Sequence, residues 1–354
     1  MAHALRLGAR GLGRTWPNPA VGCVILRDGV VIGRGWTQPG GRPHAEVVAL
    51  SQAGDATGAT AYVTLEPCAH HGHTPPCAAA LIAAKVARVV TALTDPDPRV
   101  SGRGHAMLRA AGIAVTENVL PGEARAANAG FLKRVTQGLP FVTLKLASTL
   151  DGRTATANGE SRWITGPEAR RAVHVMRLNH DAVMIGSGTA RTDDPDLTAR
   201  DIGASHQPVR IVIDSRLSHS PHSRLGHSAR TTPVWLVHTA DATAQARADW
   251  GAQGATLIEV ADHLGHADLT GTLRSLAARG LTRILCEGGG QLAAALIRAG
   301  LVDQVILHSA GALIGDEGRP SLGPLALMEL AQAPRLHLLS QRRLGNDVET
   351  RWSL

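Results

Sequence analysis

A histidine at position 44 and cysteines at 68 and 77 can act together only if the chain folds back to bring them to one point. Residues 44 to 46 read His-Ala-Glu, and residues 66 to 77 read Glu-Pro-Cys-Ala-His-His-Gly-His-Thr-Pro-Pro-Cys. A catalytic zinc takes three protein ligands and keeps one position for water, whereas a structural zinc usually closes all four positions with protein. His44, Cys68 and Cys77 supply three, so the pattern favours a catalytic metal. Zinc lowers the pKa of its bound water toward neutrality. A carboxylate must then carry protons from that water to a leaving group, and Glu46 follows the histidine closely enough to do so. Such a glutamate is not itself a ligand. A lone His-x-Glu or two cysteines nine apart would mean little, but their combination with Pro67 before Cys68 is specific. His70, His71 and His73 are assigned to lining the loop rather than to a fourth ligand. Cys23 and Cys286 stand alone in apolar runs and read as buried packing residues.

Local patterning places these residues in an α/β domain. Val21–Leu26 and Val30–Gly35 alternate around Asp28-Gly29, which predicts a hairpin. Strands are expected at Thr60–Thr64, Ala87–Leu93 and Ile113–Glu117, and helices at His44–Ala53, Cys77–Lys85 and Gly104–Ala111. Met1–Arg14 is arginine-rich and lacks acids, as a transit peptide would. It runs straight into a Pro17-Asn18-Pro19 turn and a strand, so it reads as a first helix. Gln137-Gly138-Leu139-Pro140 punctuates the chain, and the domains are drawn as 1–140 and 141–354. Beyond it, strands are expected at Phe141–Ala147, Ala182–Ile185, Val209–Asp214, Val234–His238, Thr256–Val260, Arg283–Cys286 and Gln304–His308. Helices are expected at Pro167–Asn179, Leu269–Gly280 and Gln291–Ala299. Alternation of this kind points to a second α/β domain.

Composition narrows the partners. The 354 residues carry a formal net charge of +7, but lysine occurs only at 85, 133 and 145 and nearly all the positive charge is arginine. No basic run is interleaved with aromatics, so a nucleic-acid partner is not expected. No stretch approaches the ~20 apolar residues that span a bilayer. Four cysteines in a long chain without an apolar leader fit a reducing, cytoplasmic setting.

The residues around the metal pattern carry a resemblance. Deaminases of nucleosides and nucleotides have His-x-Glu followed by Pro-Cys-x-x-Cys. The longer spacing here, together with Pro17-Asn18-Pro19-Ala20-Val21-Gly22-Cys23-Val24 and Asp95-Pro96-Asp97-Pro98-Arg99-Val100-Ser101-Gly102-Arg103-Gly104, is similar to the bifunctional deaminase/reductase family of riboflavin biosynthesis. The resemblance implies a cytidine-deaminase-like three-layer domain that binds Zn2+. It also implies substrate contacts from Asn18, His73, Asp95 and Asp97. His73 stands where family members often carry Lys or Arg, and the family's first helix tends to begin a little before Met1.

The second half is similar to the dihydrofolate-reductase-like domain of the same family. Lys145 sits in an apolar strand, where a charge is costly unless it has a partner or a task; alone it would read as an edge-strand lysine. It is followed by Ser161-Arg162-Trp163, Arg177, Gly186-Ser187-Gly188-Thr189, Asp193 to Arg200, and Glu287-Gly288-Gly289-Gly290. A glycine turn before a helix can hold phosphate on its amides. The resemblance implies NADPH contacts at Ala147, Trp163, Thr189, Asp193, Ser215, Gly288, Gly289 and Gly290. It implies substrate contacts at Ser161, Arg177, Leu197, Arg200 and Glu287, with Lys145 and Glu287 assisting the reduction. Arg177 and Arg200 suit a ribose phosphate, because guanidinium grips its oxygens as a fork. The expected partners are small pyrimidine ribose-phosphates, and the family suggests a homo-oligomer. The competing readings are a nucleic-acid base deaminase with an accessory binding domain, a non-catalytic zinc module, and a deaminase whose second domain is inactive.

Overall fold

The computed structural model describes residues 1–70 and 75–354. The chain divides into two compact units, Met1–Leu139 and Pro140–Leu354.

The first unit is built on a five-stranded sheet. Its strands are β1 (Gly22–Arg27), β2 (Val30–Trp36), β3 (Thr60–Val63), β4 (Arg88–Thr91) and β5 (Ala114–Thr116), in the order β2-β1-β3-β4-β5. β1 pairs antiparallel with β2 and β3, and β3-β4-β5 run parallel. The hairpin turns at Asp28 (φ 51°) and Gly29 (φ 77°). Two successive positive φ values are what a two-residue turn of matching twist requires. The helices are α1 (Ala2–Gly8), α2 (Ala45–Ala53), α3 (Cys77–Ala83), α4 (Arg103–Ala110), α5 (Pro121–Ala127) and α6 (Ala129–Gln137). The start of the chain is thus helical.

The core of this unit is aliphatic, with Ile25, Val63, Leu81, Val89 and Leu108 fully buried. Helix α2 lies unusually close to β2. A Cβ on Gly33 would stand 2.2 Å from the Ala49 carbonyl oxygen, and one on Gly35 would stand 2.1 Å from that of Ala45. Any larger residue would lift α2 off the sheet. That seating fixes the first turn of α2, where His44 caps the helix and Glu46 follows.

The second unit holds a nine-stranded sheet. Its strands are β6 (Phe141–Thr149), β7 (Ala182–Gly186), β8 (Val209–Ile213), β9 (Val234–His238), β10 (Thr256–Glu259), β11 (Arg283–Cys286), β12 (Gln304–Ala310), β13 (His337–Leu344) and β14 (Asp347–Ser353). The order is β10-β9-β8-β7-β11-β6-β12-β14-β13. The first seven run parallel, and the C-terminal hairpin closes the sheet antiparallel. The helices are α7 (Pro167–Leu178), α8 (Ser187–Asp193), α9 (Arg224–His227), α10 (Ala244–Ala252), α11 (Leu269–Ala278) and α12 (Gly290–Arg298). Fully buried Trp250 anchors a core with Ile185, Leu225 and Leu236.

Lys145 is not on an edge strand. β6 is flanked by β11 and β12, and Lys145 stands beside Ile306 in the register. Its ammonium therefore needs partners from the protein or a ligand. The C-terminal hairpin has no counterpart in the sequence-based expectation.

Candidate active sites

In the first unit, His44, Cys68 and Cys77 place one ligand atom each within 4.8 Å of one another. His44 Nδ1 is 3.3 Å from Cys77 Sγ and 3.8 Å from Cys68 Sγ. Zinc bonds of usual length at a tetrahedral angle separate such N and S atoms by about 3.5 Å, so the three fit one zinc ion. Among the described residues the group contains only these three, which leaves a tetrahedral ion one position. His70 is outside it.

Local structure explains the convergence. Cys77 opens α3, and its backbone N–H donates to Cys68 Sγ at 3.3 Å. Helix N-termini favour thiolates. The Cys77 thiol also hydrogen-bonds Cys68 and pulls the Cys68 pKa down to about 4. The same bond, with burial, pushes Cys77 well up. The metal-free pair thus holds one thiolate and one thiol, and binding of a metal releases the remaining proton.

Glu46 is 3 % exposed. Burial raises its carboxyl to about 7, against the opposing pull of His44. It also hydrogen-bonds Cys77. A carboxyl in that range exchanges protons near neutrality.

Asp95 and Asp97 lie in the loop after β4. Asp95 is buried, and burial raises its carboxyl to about 6, opposed by the Asp97 N–H that it accepts at 2.9 Å. Asp97 is held by the Arg99 guanidinium at 3.0 and 3.1 Å, so its charge is already paired. Asn18 lies in the turn before β1, where its N–H donates to the Thr15 carbonyl at 2.9 Å and its side chain fills the space beside Gly41. His73 lies outside the described residues.

The residue sequence reasoning passed over is Glu66. Its side chain is fully inaccessible and accepts four backbone N–H bonds. The signal was a carboxylate directly after the apolar Val63-Thr64-Leu65 run.

In the second unit, Thr189 follows β7, Ser215 follows β8 and Glu287 to Gly290 follow β11, at the carboxyl ends of parallel strands, where open α/β sheets bind ligands. Arg177 of α7 and Glu287 after β11 form a bidentate pair at 2.7 and 2.9 Å, each side chain 12 % exposed. A third Arg177 N–H donates to the Thr198 carbonyl at 2.8 Å. The fork expected to grip phosphate is therefore turned on Glu287. The physical reason is burial, since a carboxylate out of water needs a counter-charge. Burial pushes Glu287 up, but Arg177 and then Lys145 outweigh it and hold its carboxyl below the usual range. Burial lowers Lys145, with Glu287 opposing. Arg200 is freer, half exposed and 3.5 Å from Asp196.

Leu197 has φ 55° and a buried side chain in the core, so only its backbone can face a ligand. Arg162 donates to the Asp193 carbonyl at 3.3 Å. Ser215 Oγ accepts from Ala267 N–H at 2.9 Å. Ala147 stands beside His308 in the sheet.

The residues assigned to NADPH fit an anionic cofactor with a flat ring. Gly289 caps α12 and is exposed, and its N–H donates to Thr189 Oγ1 at 3.0 Å. This joins the first turns of α8 and α12. Gly290 is backed by Gly323, whose N–H donates to the Gly290 carbonyl at 2.9 Å. A Cβ on Gly288 would strike Leu292 at 2.7 Å. Trp163 is 68 % exposed, and the Arg170 guanidinium lies 4.5 Å from its ring centroid. Such a ring offers a stacking face beside positive charge. It borders a cavity of about 350 Å³ shared with Thr165, Ala310, Asn346 and Asp347.

Residues 1–93 match the cytidine and deoxycytidylate deaminase zinc-binding region, and residues 140–350 match the RibD C-terminal domain. The chain is 45 % identical over 361 residues to the riboflavin biosynthesis protein RibD of Escherichia coli K12, covering 98 % of this chain and 96 % of that one. It is 43 % identical over 364 residues to RibD of Haemophilus influenzae, covering 99 % and 95 %. Acinetobacter baumannii RibD superposes with a TM-score of 0.89 at 39 % identity, over 99 % of this chain and 97 % of that one. A Thermotoga maritima structure described as a diaminohydroxyphosphoribosylaminopyrimidine deaminase/5-amino-6-(5-phosphoribosylamino)uracil reductase superposes at 0.87 with 32 % identity, over 100 % and 97 %.

Proposed function

The chain belongs to the RibD family of riboflavin-biosynthesis proteins, zinc deaminases joined to NADPH-dependent reductases, and on that premise we propose how its own residues divide the two reactions. The first unit removes the 2-amino group of 2,5-diamino-6-(5-phosphoribosylamino)pyrimidin-4-one. The second reduces the ribosyl group of the product to ribityl. The observation that carries the reading is the His44, Cys68 and Cys77 triad, with buried Glu46 against Cys77.

His44, Cys68 and Cys77 hold the zinc, which when bound makes a water nucleophilic near neutral pH. Glu46 takes a proton at its carboxylate and delivers it to the departing 2-amino nitrogen. Its burial keeps the proton available at pH 7. Asn18 and Asp95 hydrogen-bond the pyrimidine or ribose, and Asp97 shapes the loop through Arg99. His73 is retained as a phosphate contact.

In the second unit, bound NADPH supplies the hydride that reaches C1 of the ribosyl group. Trp163, Thr189, Asp193, Ser215, Ala147 and the Gly288–Gly290 turn hold that cofactor. Lys145 donates a proton to the sugar oxygen as the ring opens. Glu287, clamped by Arg177, fixes Lys145 in place and accepts a hydrogen bond from the substrate. Arg200, with Ser161 and the Leu197 backbone, receives the phosphorylated sugar.

Treatment with a chelator separates the halves. Ammonia release is expected to stop, while NADPH oxidation with the deaminated pyrimidine continues, and added zinc restores the first. Ammonia release that survives verified zinc loss contradicts the assignment of the triad.

The working form is a homo-oligomer. β13 is the sheet's edge strand and is exposed along nearly its whole length, with Leu338 and Leu339 facing outward. Such an edge invites pairing with another copy. Light scattering is expected to give a multiple of the 37.0 kDa chain mass, and a monomer at all concentrations retires this point. No described helix is long and apolar enough to cross a membrane. Four free cysteines accord with a reducing cytoplasmic setting.

A further inference from the structure

We propose that Glu66 is a positioning residue of the deaminase site, holding the 95–105 loop, and with it Asp95, against the segment that carries Cys68. The Glu66 backbone is fixed first: its N–H donates to the Leu93 carbonyl at 2.8 Å, two residues beyond β4. The carboxylate then reaches across to four amides. Oε2 accepts from Asp95 N–H at 3.2 Å and Gly102 N–H at 3.0 Å. Oε1 accepts from Gly104 N–H at 2.9 Å and His105 N–H at 3.2 Å. Both ends of the loop are thus tied to one buried group, two residues before a metal ligand.

The packing admits little slack. A Cβ on Gly104 would stand 2.0 Å from the Pro67 carbonyl oxygen, so the loop rests directly on the Glu66-Pro67-Cys68 backbone. His105 anchors the far end in the sheet, through Thr91 Oγ1 at 2.9 Å and Glu117 Oε2 at 3.2 Å. A carboxylate that only balanced a charge would face a cation. This one has the His105 ring no nearer than 3.9 Å but takes four amides at 2.9 to 3.2 Å, and its oxygens set where Asp95 lies. Glutamine has the same shape, but its NH2 would point at two N–H donors and leave them unsatisfied. The inference rests on Asp95 contacting the substrate, as read above.

The test uses full-length zinc-loaded protein and the diaminopyrimidine ribose-phosphate. Glu66→Gln is expected to keep its zinc and to raise the deaminase KM by roughly tenfold or more, with a much smaller change in kcat. Combined with Asp95→Asn, it should raise KM no further than Asp95→Asn alone, because the two act through one contact. A KM within twofold of wild type, or effects that multiply in the double variant, would overturn the proposal. If Asp95→Asn alone leaves KM unchanged while Glu66→Gln raises it, Asp95 is not the contact but the loop is still positioned by Glu66. A variant that fails to fold leaves a direct measurement on the wild type. The Asp95 and exposed Gly102 amides should exchange hydrogen as slowly as those of β4, and free exchange at both would also overturn it.

Discussion

Glu46→Gln is expected to lower deaminase turnover by about 10²–10⁴-fold while zinc content and NADPH oxidation stay at wild-type levels. Glutamine occupies the same buried volume at the start of α2 and can still hydrogen-bond Cys77. What it cannot do is pick up and release a proton, the role proposed for Glu46, whose carboxyl is raised by burial to about 7. His44 remains the cap of α2, seated by the close approach of α2 to Gly33 and Gly35, so the metal ligands are undisturbed. Metal analysis beside single-turnover ammonia release checks both halves of the expectation. Full activity with zinc in place would remove Glu46 from proton transfer.

The second large effect is expected at Glu287. Glu287→Gln leaves Arg177 buried without its counter-charge and takes the carboxylate away from Lys145. Breaking a buried pair from one side costs about 3–5 kcal/mol, and the side chains here are shielded enough for that range to apply. The denaturant midpoint of the second unit should fall accordingly, and NADPH oxidation should drop by about 10²-fold or more. Deamination, which depends on residues of the other unit, should be unaffected. An unchanged midpoint would mean that Arg177 finds another acceptor, such as a second contact with the Thr198 carbonyl.

Much of this was legible in the chain. The β1–β2 hairpin declares itself by alternation around Asp28-Gly29, and the structure uses both residues at positive φ. The candidate metal group was legible because zinc chemistry restricts both residue type and number, and the structure brings His44, Cys68 and Cys77 together. The C-terminal hairpin was not, and the exposure of its outer strand explains why. β13 is exposed on both faces, so its residues carry no period-two pattern. Arg177 shows a different limit. An arginine reads as a phosphate ligand from sequence, and only coordinates reveal that its fork faces Glu287. Lys145 was suspected from its apolar neighbours, but its place in the middle of a nine-stranded sheet depends on strand order. Glu66 was invisible for the same reason, since all four of its partners lie some thirty or more residues away in sequence.

The central claim is that one chain performs deamination and then reduction. It is tested by incubating zinc-loaded protein with the diaminopyrimidine ribose-phosphate and following ammonia and nicotinamide absorbance together. The account predicts ammonia release without NADPH, and oxidation of NADPH once it is added to the deaminated product. Oxidation that precedes ammonia release, or neither signal with zinc verified in the site, would contradict it.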